Sequence, residues 1–223
     1  MDKAIIMKEW LKTRLVFFAC LAVTLAVGGY AVIMMNRLIQ LKGVEHLWLI
    51  MLLKDNSFVD VLKYLPLAVG IAVGVAQMAP EMAQKRLKLT LHLPCGHGRL
   101  VGLMLATGLV ELGAVFAAQT AVIAVWDFTI LPPELVGRVV LTMLPWYFAG
   151  FAGYLFVSAI CLEGTRSRRV MLGLLGVAVA MVYFLQPAME AYNGMIPFML
   201  ILTVGLLSLS YGSIARFREG RQD

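Results

Sequence analysis

Six stretches of this chain are apolar enough to cross a bilayer, and polar residues gather between them. They cover roughly residues 15–35, 61–79, 100–126, 139–162, 170–186 and 195–214. A hydrocarbon core about 30 Å thick takes about 20 residues of helix. With no water in that core, every backbone polar group has to be satisfied inside the segment, which favours helices. The pattern therefore predicts an all-α polytopic membrane protein with six transmembrane helices in one domain spanning residues 1–223. Ahead of the first span, residues 4–13 read as a separate amphipathic helix. Ile6, Met7, Trp10 and Leu11 share one face and Lys8 and Lys12 another, as in an interfacial segment with tryptophan at headgroup level. The region from Asn36 to Lys63 is mixed. Its apolar centre, Leu47 to Leu53, is too short to cross and reads as a second interfacial helix, with Asp55-Asn56-Ser57 as a break.

Residues 80–99, PEMAQKRLKLTLHLPCGHGR, form a long polar interruption between two spans. Its first half predicts a short helix opening at Pro80, a residue suited to the first turn because its missing N–H costs nothing there. Glu81 and Lys85 are four apart in the favourable order. Pro94, Gly96 and Gly98 then break the chain before the third span.

Composition narrows the class. The chain has 223 residues, is 61% hydrophobic with mean hydropathy +0.86, and is only 14% charged, against about a quarter in soluble domains. The net charge of +6 is spread between spans, so it is not a nucleic-acid signature. It does carry orientation, because Lys and Arg beside the spans favour the cytoplasm. Lys3, Lys8, Lys12 and Arg14, then Lys85, Arg86, Lys88 and Arg99, then Arg166, Arg168 and Arg169, and finally Arg216, Arg218 and Arg221 give one side fourteen; Arg37, Lys42, Lys54, Lys63 and Arg138 give the other five. Both termini, the loop 80–99 and the loop from Glu163 to Arg169 are thus expected in the cytoplasm. No signal-peptide cleavage pattern opens the chain, and three cysteines make no disulfide framework.

Chemistry-bearing residues are few. Glu111 is the acid placed well inside a span, about 16 Å from its start at 1.5 Å per residue; such a carboxyl faces protein or a water-filled path. It is a candidate pathway residue, with a structural hydrogen bond as the plainer role. Gln77 and Gln119 read as packing residues. His92, Cys95 and His97 are metal-capable but lack a fourth ligand, so no metal site is expected. Gly70 and Gly74 are spaced as GxxxG, which serves helix packing within one chain or between two. Neither GxxxxGK[ST] nor GxGxxG occurs, and the chain is not expected to be an enzyme or to hold a cofactor.

With those residues in view, the chain resembles the short permease subunits of the ABC transporter type-two, exporter-like family. Those subunits open with a cytoplasmic elbow helix, as in MKEWLKTR, and have six spans. Their first intracellular loop carries an acid, a basic cluster and a leucine-rich run ending in Leu-Pro; here these are Glu81, Lys85-Arg86, LKLTLHLP and then Gly98-Arg99-Leu100. The segment between the fifth and sixth spans, Pro187 to Gly194, is much shorter than in many of them. The resemblance implies a permease, as a homodimer or paired with a related subunit, in the inner (cytoplasmic) membrane of a prokaryote. It implies a separate ABC ATPase that binds ATP and Mg. Glu81, Lys85, Arg86, Leu87 and Leu91 would couple to it, with Arg166, Arg168 and Arg169 as a second contact. Two other readings fit the residues: an ABC-type subunit passing force or material to a periplasmic or extracellular partner, and a non-ABC membrane assembly subunit.

The charge bias makes a topological prediction. In a cysteine-free background, Gly43→Cys should react with an impermeant maleimide added to intact cells, and Gly164→Cys should react only after permeabilisation. Reaction of both from the outside would overturn the orientation.

Overall fold

The computed structural model describes residues 2–43, 48, 51, 58–83, 97–186 and 188–218; for 83, 97 and 214–218 it describes the backbone alone. Among the described residues the fold is all-helical: α1 (Asp2–Lys42), a 3-10 turn (Phe58–Leu62), α2 (Leu65–Ala83), α3 (His97–Asp127), α4 (Pro133–Leu162), α5 (Arg166–Val182), a second 3-10 turn (Asn193–Met195) and α6 (Ile196–Arg218). Among the described residues, five segments are long and apolar enough to cross a membrane: Asp2–Lys42, Phe58–Met82, Gly98–Asp127, Pro133–Leu162 and Asn193–Ser213. This is a multi-pass membrane protein. The expected fifth span is the short one. Helix α5 has 17 residues, about 26 Å of helix.

Two boundaries differ from the sequence expectation in ways that matter. The anticipated elbow at 4–13 and the span at 15–35 are one helix of 41 residues. Nothing in Lys12 to Val16 is a helix breaker, and a single inward stripe runs the whole length: Ile5, Glu9, Thr13, Cys20, Thr24, Gly28, Ala31 and Met35 are buried. The second difference concerns Pro80. It does not open a new helix but lies inside α2, which runs on to Ala83. A proline there removes one backbone hydrogen bond, a modest loss one turn from the helix end, and Glu81 just after it is anchored by α1. Residues 80–83 thus belong to α2 and 97–99 to α3, while 84–96 lie outside the described residues. So do the apolar centre near Leu47 to Leu53, apart from Trp48 and Met51, and the tail after Arg218.

The other ends have local causes. Helix α4 starts at Pro133, earlier than the expected 139, because a proline fits the first turn and Glu134 complements the helix dipole there. The connection before α6 is folded back onto α4: Glu190, at φ 57°, donates its N–H to Thr142 Oγ1 at 3.2 Å and accepts from Arg138 Nε at 3.3 Å. The hydroxyl of Tyr192 accepts from the Gln186 N–H at 2.9 Å and donates to the Val182 carbonyl at 3.0 Å.

Helix α4 is the centre of the bundle, and its most extensive partner is α2. Glycines set that distance. A Cβ on Gly70 would fall onto the carbonyl of Gly150, and one on Gly74 would lie 3.2 Å from the Tyr154 carbonyl oxygen. The GxxxG of α2 is therefore used within the chain. Helix α1 packs chiefly on α3, and α6 and α5 pack on α4. At the end of the bundle that holds the N-terminus, Arg99 pairs with Asp2 at 2.5 Å, Tyr211 donates to the Gly98 carbonyl at 3.1 Å, and Ser213 donates to buried Glu163 at 3.2 Å.

A methyl group at the α2–α4 contact has nowhere to go. Gly70→Ala should destabilise the detergent-solubilised protein by about 1–3 kcal/mol, the range for overpacking, while Gly29→Ala, whose added carbon meets nothing within 4 Å, should leave the thermal midpoint nearly unchanged. Equal midpoints for the two variants would contradict the close approach.

Candidate functional site

One group of polar residues inside the bundle converges on a single place. Helix α1 brings Lys8, Glu9, Lys12 and Thr13; α2 brings Gln77 and Glu81; α3 brings Glu111; α4 brings Tyr154. The spacing does the gathering. Glu9 and Thr13 lie one helical turn apart on the inward stripe of α1, and Gln77 and Glu81 one turn apart on α2. Glu9, Glu81, Gln77, Thr13 and Glu111 are all buried.

The network is built on shared donors. Lys12 Nζ lies 2.7 Å from Glu9 Oε2 and 3.0 Å from Glu81 Oε1. Lys8 Nζ lies 2.9 Å from the same Glu81 oxygen and 3.7 Å from Glu9 Oε1. Gln77 Nε2 donates to Glu9 Oε2 at 2.9 Å and to the Met104 carbonyl at 2.7 Å. Its amide oxygen accepts from Tyr154 at 2.7 Å, and that hydroxyl also lies 3.3 Å from the Leu105 carbonyl. Thr13 donates to Glu111 Oε1 at 2.6 Å. Three carboxyl groups thus face two ammonium groups. Glu9 and Glu81 share both cations, whereas among the described residues no ion pair reaches Glu111. Among the described residues its second oxygen, like Glu9 Oε1 and Glu81 Oε2, is buried without a hydrogen-bond partner.

Beside Glu111, between α1 and α3, is a pocket of about 500 Å³ lined by Ile6, Trp10 and Phe17 from α1 and by Leu103, Val110 and Glu111 among others from α3. Its lining is apolar side chains except for Thr107 and Glu111. Trp10 and Phe17 meet edge to face with ring centroids 5.2 Å apart.

The residues singled out by sequence fall in three groups. Glu81 is buried in the network, with its described partners in this same chain, and Glu111 stands at the network's edge. Lys85, Arg86, Leu87 and Leu91, with His92 and Cys95, lie outside the described residues, and His97 is described by its backbone alone. Arg166, Arg168 and Arg169 are exposed at the start of α5, where Arg169 Nε donates to the Glu163 carbonyl at 2.6 Å. Among the described residues no group of three His, Cys, Asp or Glu could hold a metal. Gln77, read as a packing residue, is the network's hub across α1, α3 and α4. Gln119 is buried with both amide atoms unbonded. Sequence reasoning missed Glu9, Thr13 and Tyr154. The available signal was the stripe of small and polar residues on α1, which marks the face that packs on other helices.

Family models, curated proteins and solved structures contain no match to this chain.

The network implies unequal lysines. Lys12 has a side chain 12% exposed and bonds two acids, while Lys8 is 40% exposed. Lys12→Met should cost about 3–5 kcal/mol, as when one partner of a buried pair is removed, and Lys8→Met about 1 kcal/mol or less. Unfolding of the two variants in mixed micelles measures both. Similar small losses would show that the acids do not depend on Lys12.

Proposed function

We propose that this chain is the membrane-spanning permease subunit of an ABC transporter, exporter-like, working with a separate ATPase. The single observation that carries the reading is the anchoring of Glu81. It stands in the last turn of α2, where the chain leaves for the segment 84–96, and Lys8 and Lys12 tie it to α1. Arg99, just after that segment, pairs with Asp2 of α1. Both flanks of the segment are thus fastened to one helix. A force applied to residues 84–96 would pass directly into α1, and through Thr13 and Glu111 into α3. That is the mechanical property a coupling loop needs, and it supports the resemblance of this segment to the first intracellular loop of such permeases.

On this reading the work is divided. ATP and Mg bind in the partner ATPase. Lys85 and Arg86 make charge-assisted contacts to acids of that partner, and Leu87 and Leu91 fill its apolar groove. Glu81 acts through α1 rather than by touching the partner. The exposed Arg166 and Arg168 form the second contact. The permease pairs with a second copy or a related subunit in the inner membrane of a prokaryote, with both termini and both loops in the cytoplasm. Glu111, at membrane depth, is the residue of the translocation path.

The test is the partnership itself. Tagged wild-type chain, purified from its native membrane, should bring down a subunit that photolabels with azido-ATP and hydrolyses ATP. Lys85→Glu with Arg86→Glu should reduce its recovery at least tenfold, since truncating a charged pair at an interface typically costs about 2–5 kcal/mol and about 1.4 kcal/mol is tenfold. Unchanged membrane levels of the variant serve as the control. A wild-type preparation free of nucleotide-binding subunits would end the transporter reading.

A further inference from the structure

We infer that the groove between α1 and α3 seats one acyl chain of an anionic phospholipid, whose phosphate is met at the N-terminal end of the groove by Lys3, Arg14 and Arg99. The inference does not rest on the transport reading. It concerns the chain in a membrane, without ATP and without a partner subunit.

The wall accepts hydrocarbon alone. Its two polar residues turn their polar atoms elsewhere: Thr107 donates to the Leu103 carbonyl at 2.9 Å, Glu111 Oε1 accepts from Thr13, and Glu111 Oε2 is buried. The volume of about 500 Å³ lies within the range of about 300–1,000 Å³ for small-molecule pockets. Length then selects the occupant. Helices α1 and α3 run parallel in a constant register, with Asp2 against Arg99 at one level and Thr13 against Glu111 at another. The lining extends from Ile6 to Phe17 on α1 and from Leu103 to Ala114 on α3, about 16 Å on each helix at 1.5 Å per residue. That is half of a hydrocarbon core about 30 Å thick, the depth of one leaflet. Ile6 and Val110, at the edges, are 43% and 71% exposed, so the groove opens sideways, where lipid chains lie.

Charge selects the headgroup. Lys3 precedes Ile6 by three positions and Arg99 precedes Leu103 by four, so both continue the lining faces one turn beyond the end of the groove. Arg14 follows Trp10 by four, and side chains on a helix lean toward its N-terminus, here toward the same end. All three are exposed. Asp2, the acid beside them, takes one nitrogen of Arg99, whose guanidinium carries five N–H donors. Three cations against that acid leave the mouth of the groove positive. A zwitterionic headgroup brings its own ammonium to this cluster, whereas an anionic one answers it.

The test places single chains in phosphatidylcholine nanodiscs with Trp48, Trp126 and Trp146 changed to Phe, so that Trp10 in the groove alone reports. Phosphatidylglycerol brominated on its acyl chains is compared with brominated phosphatidylcholine at matched mole fractions. The anionic lipid should quench Trp10 with an apparent affinity about fivefold higher or more, the scale of one basic residue at an anionic surface. Lys3→Gln with Arg14→Gln should bring the two lipids to parity, and Ala106→Phe, which fills the groove from its exposed side, should remove the preference, both with unchanged far-UV circular dichroism. Equal quenching by the two lipids in the otherwise unaltered chain would overturn the inference, whatever the variants do. A preference that survives Ala106→Phe would overturn it as well, since the lipid would then lie outside the groove. If neither lipid quenches Trp10 and Val110→Cys crosslinks between copies in two-chain discs, the groove belongs to a second copy of this chain and the lipid assignment falls.

Discussion

Two ammonium groups shared among buried acids set the conditions for the rest of this bundle. Charges withdrawn from water cost several kcal/mol each even after relaxation, and attraction offsets this only where geometry is good and the remaining donors and acceptors are met. Here Lys12 serves two carboxyl groups at ordinary hydrogen-bond distances, and Gln77 and Tyr154 satisfy further atoms. The arrangement therefore specifies position. Glu81 fixes the last turn of α2 against α1, Gln77 fixes α2 against the backbone of α3, and a shift of one helical turn would strand buried charges. Apolar packing alone would tolerate such shifts far better.

The helical architecture was legible because bilayer crossing is a demanding physical filter. Long uncharged runs such as 15–35 and 100–126 leave few alternatives. What the runs could not show was where helices continue past the apolar part. Lys8 and Lys12 were read as facing water and headgroups, as exposed lysines at i and i+4 normally do. Glu9 between them points inward and turns the same segment into part of a core. The continuity of α1 follows from that inward face, and hydropathy does not register it. Pro80 misled in a related way: proline suits a helix start, yet here it sits inside a helix whose last turn is anchored by ion pairs.

The site was half legible. Glu111 stood out because acids inside apolar runs are rare, and Glu81 because of the loop it borders. Their shared dependence on α1 needs the third dimension: Thr13 and Glu111 are 98 positions apart in sequence, and only helix packing brings them together. Gln77, which reads as an ordinary packing residue, becomes the hub for the same reason. Gln119 and Asp127, buried with side-chain atoms unbonded among the described residues, mark further polar positions along α3.

The glycine contact between α2 and α4 carries a consequence for how the molecule can deform. Where backbone lies on backbone, as at Gly70 and Gly150, two helices have little room to slide, because at that point no side chain stands between them to change rotamer. Helices α1 and α3 form another closely packed pair. Between the two pairs run polar fasteners, from Lys8 and Lys12 to Glu81, from Gln77 to Glu9 and the Met104 carbonyl, and from Tyr154 to the Leu105 carbonyl, beside the rings of Phe116, Tyr147 and Phe151. Hydrogen bonds and ion pairs can be exchanged for others without a void opening, whereas a welded backbone contact cannot. A shear among these four helices would therefore meet less resistance between α1–α3 and α2–α4 than within α2–α4, with the buried acids and lysines as the latch across it.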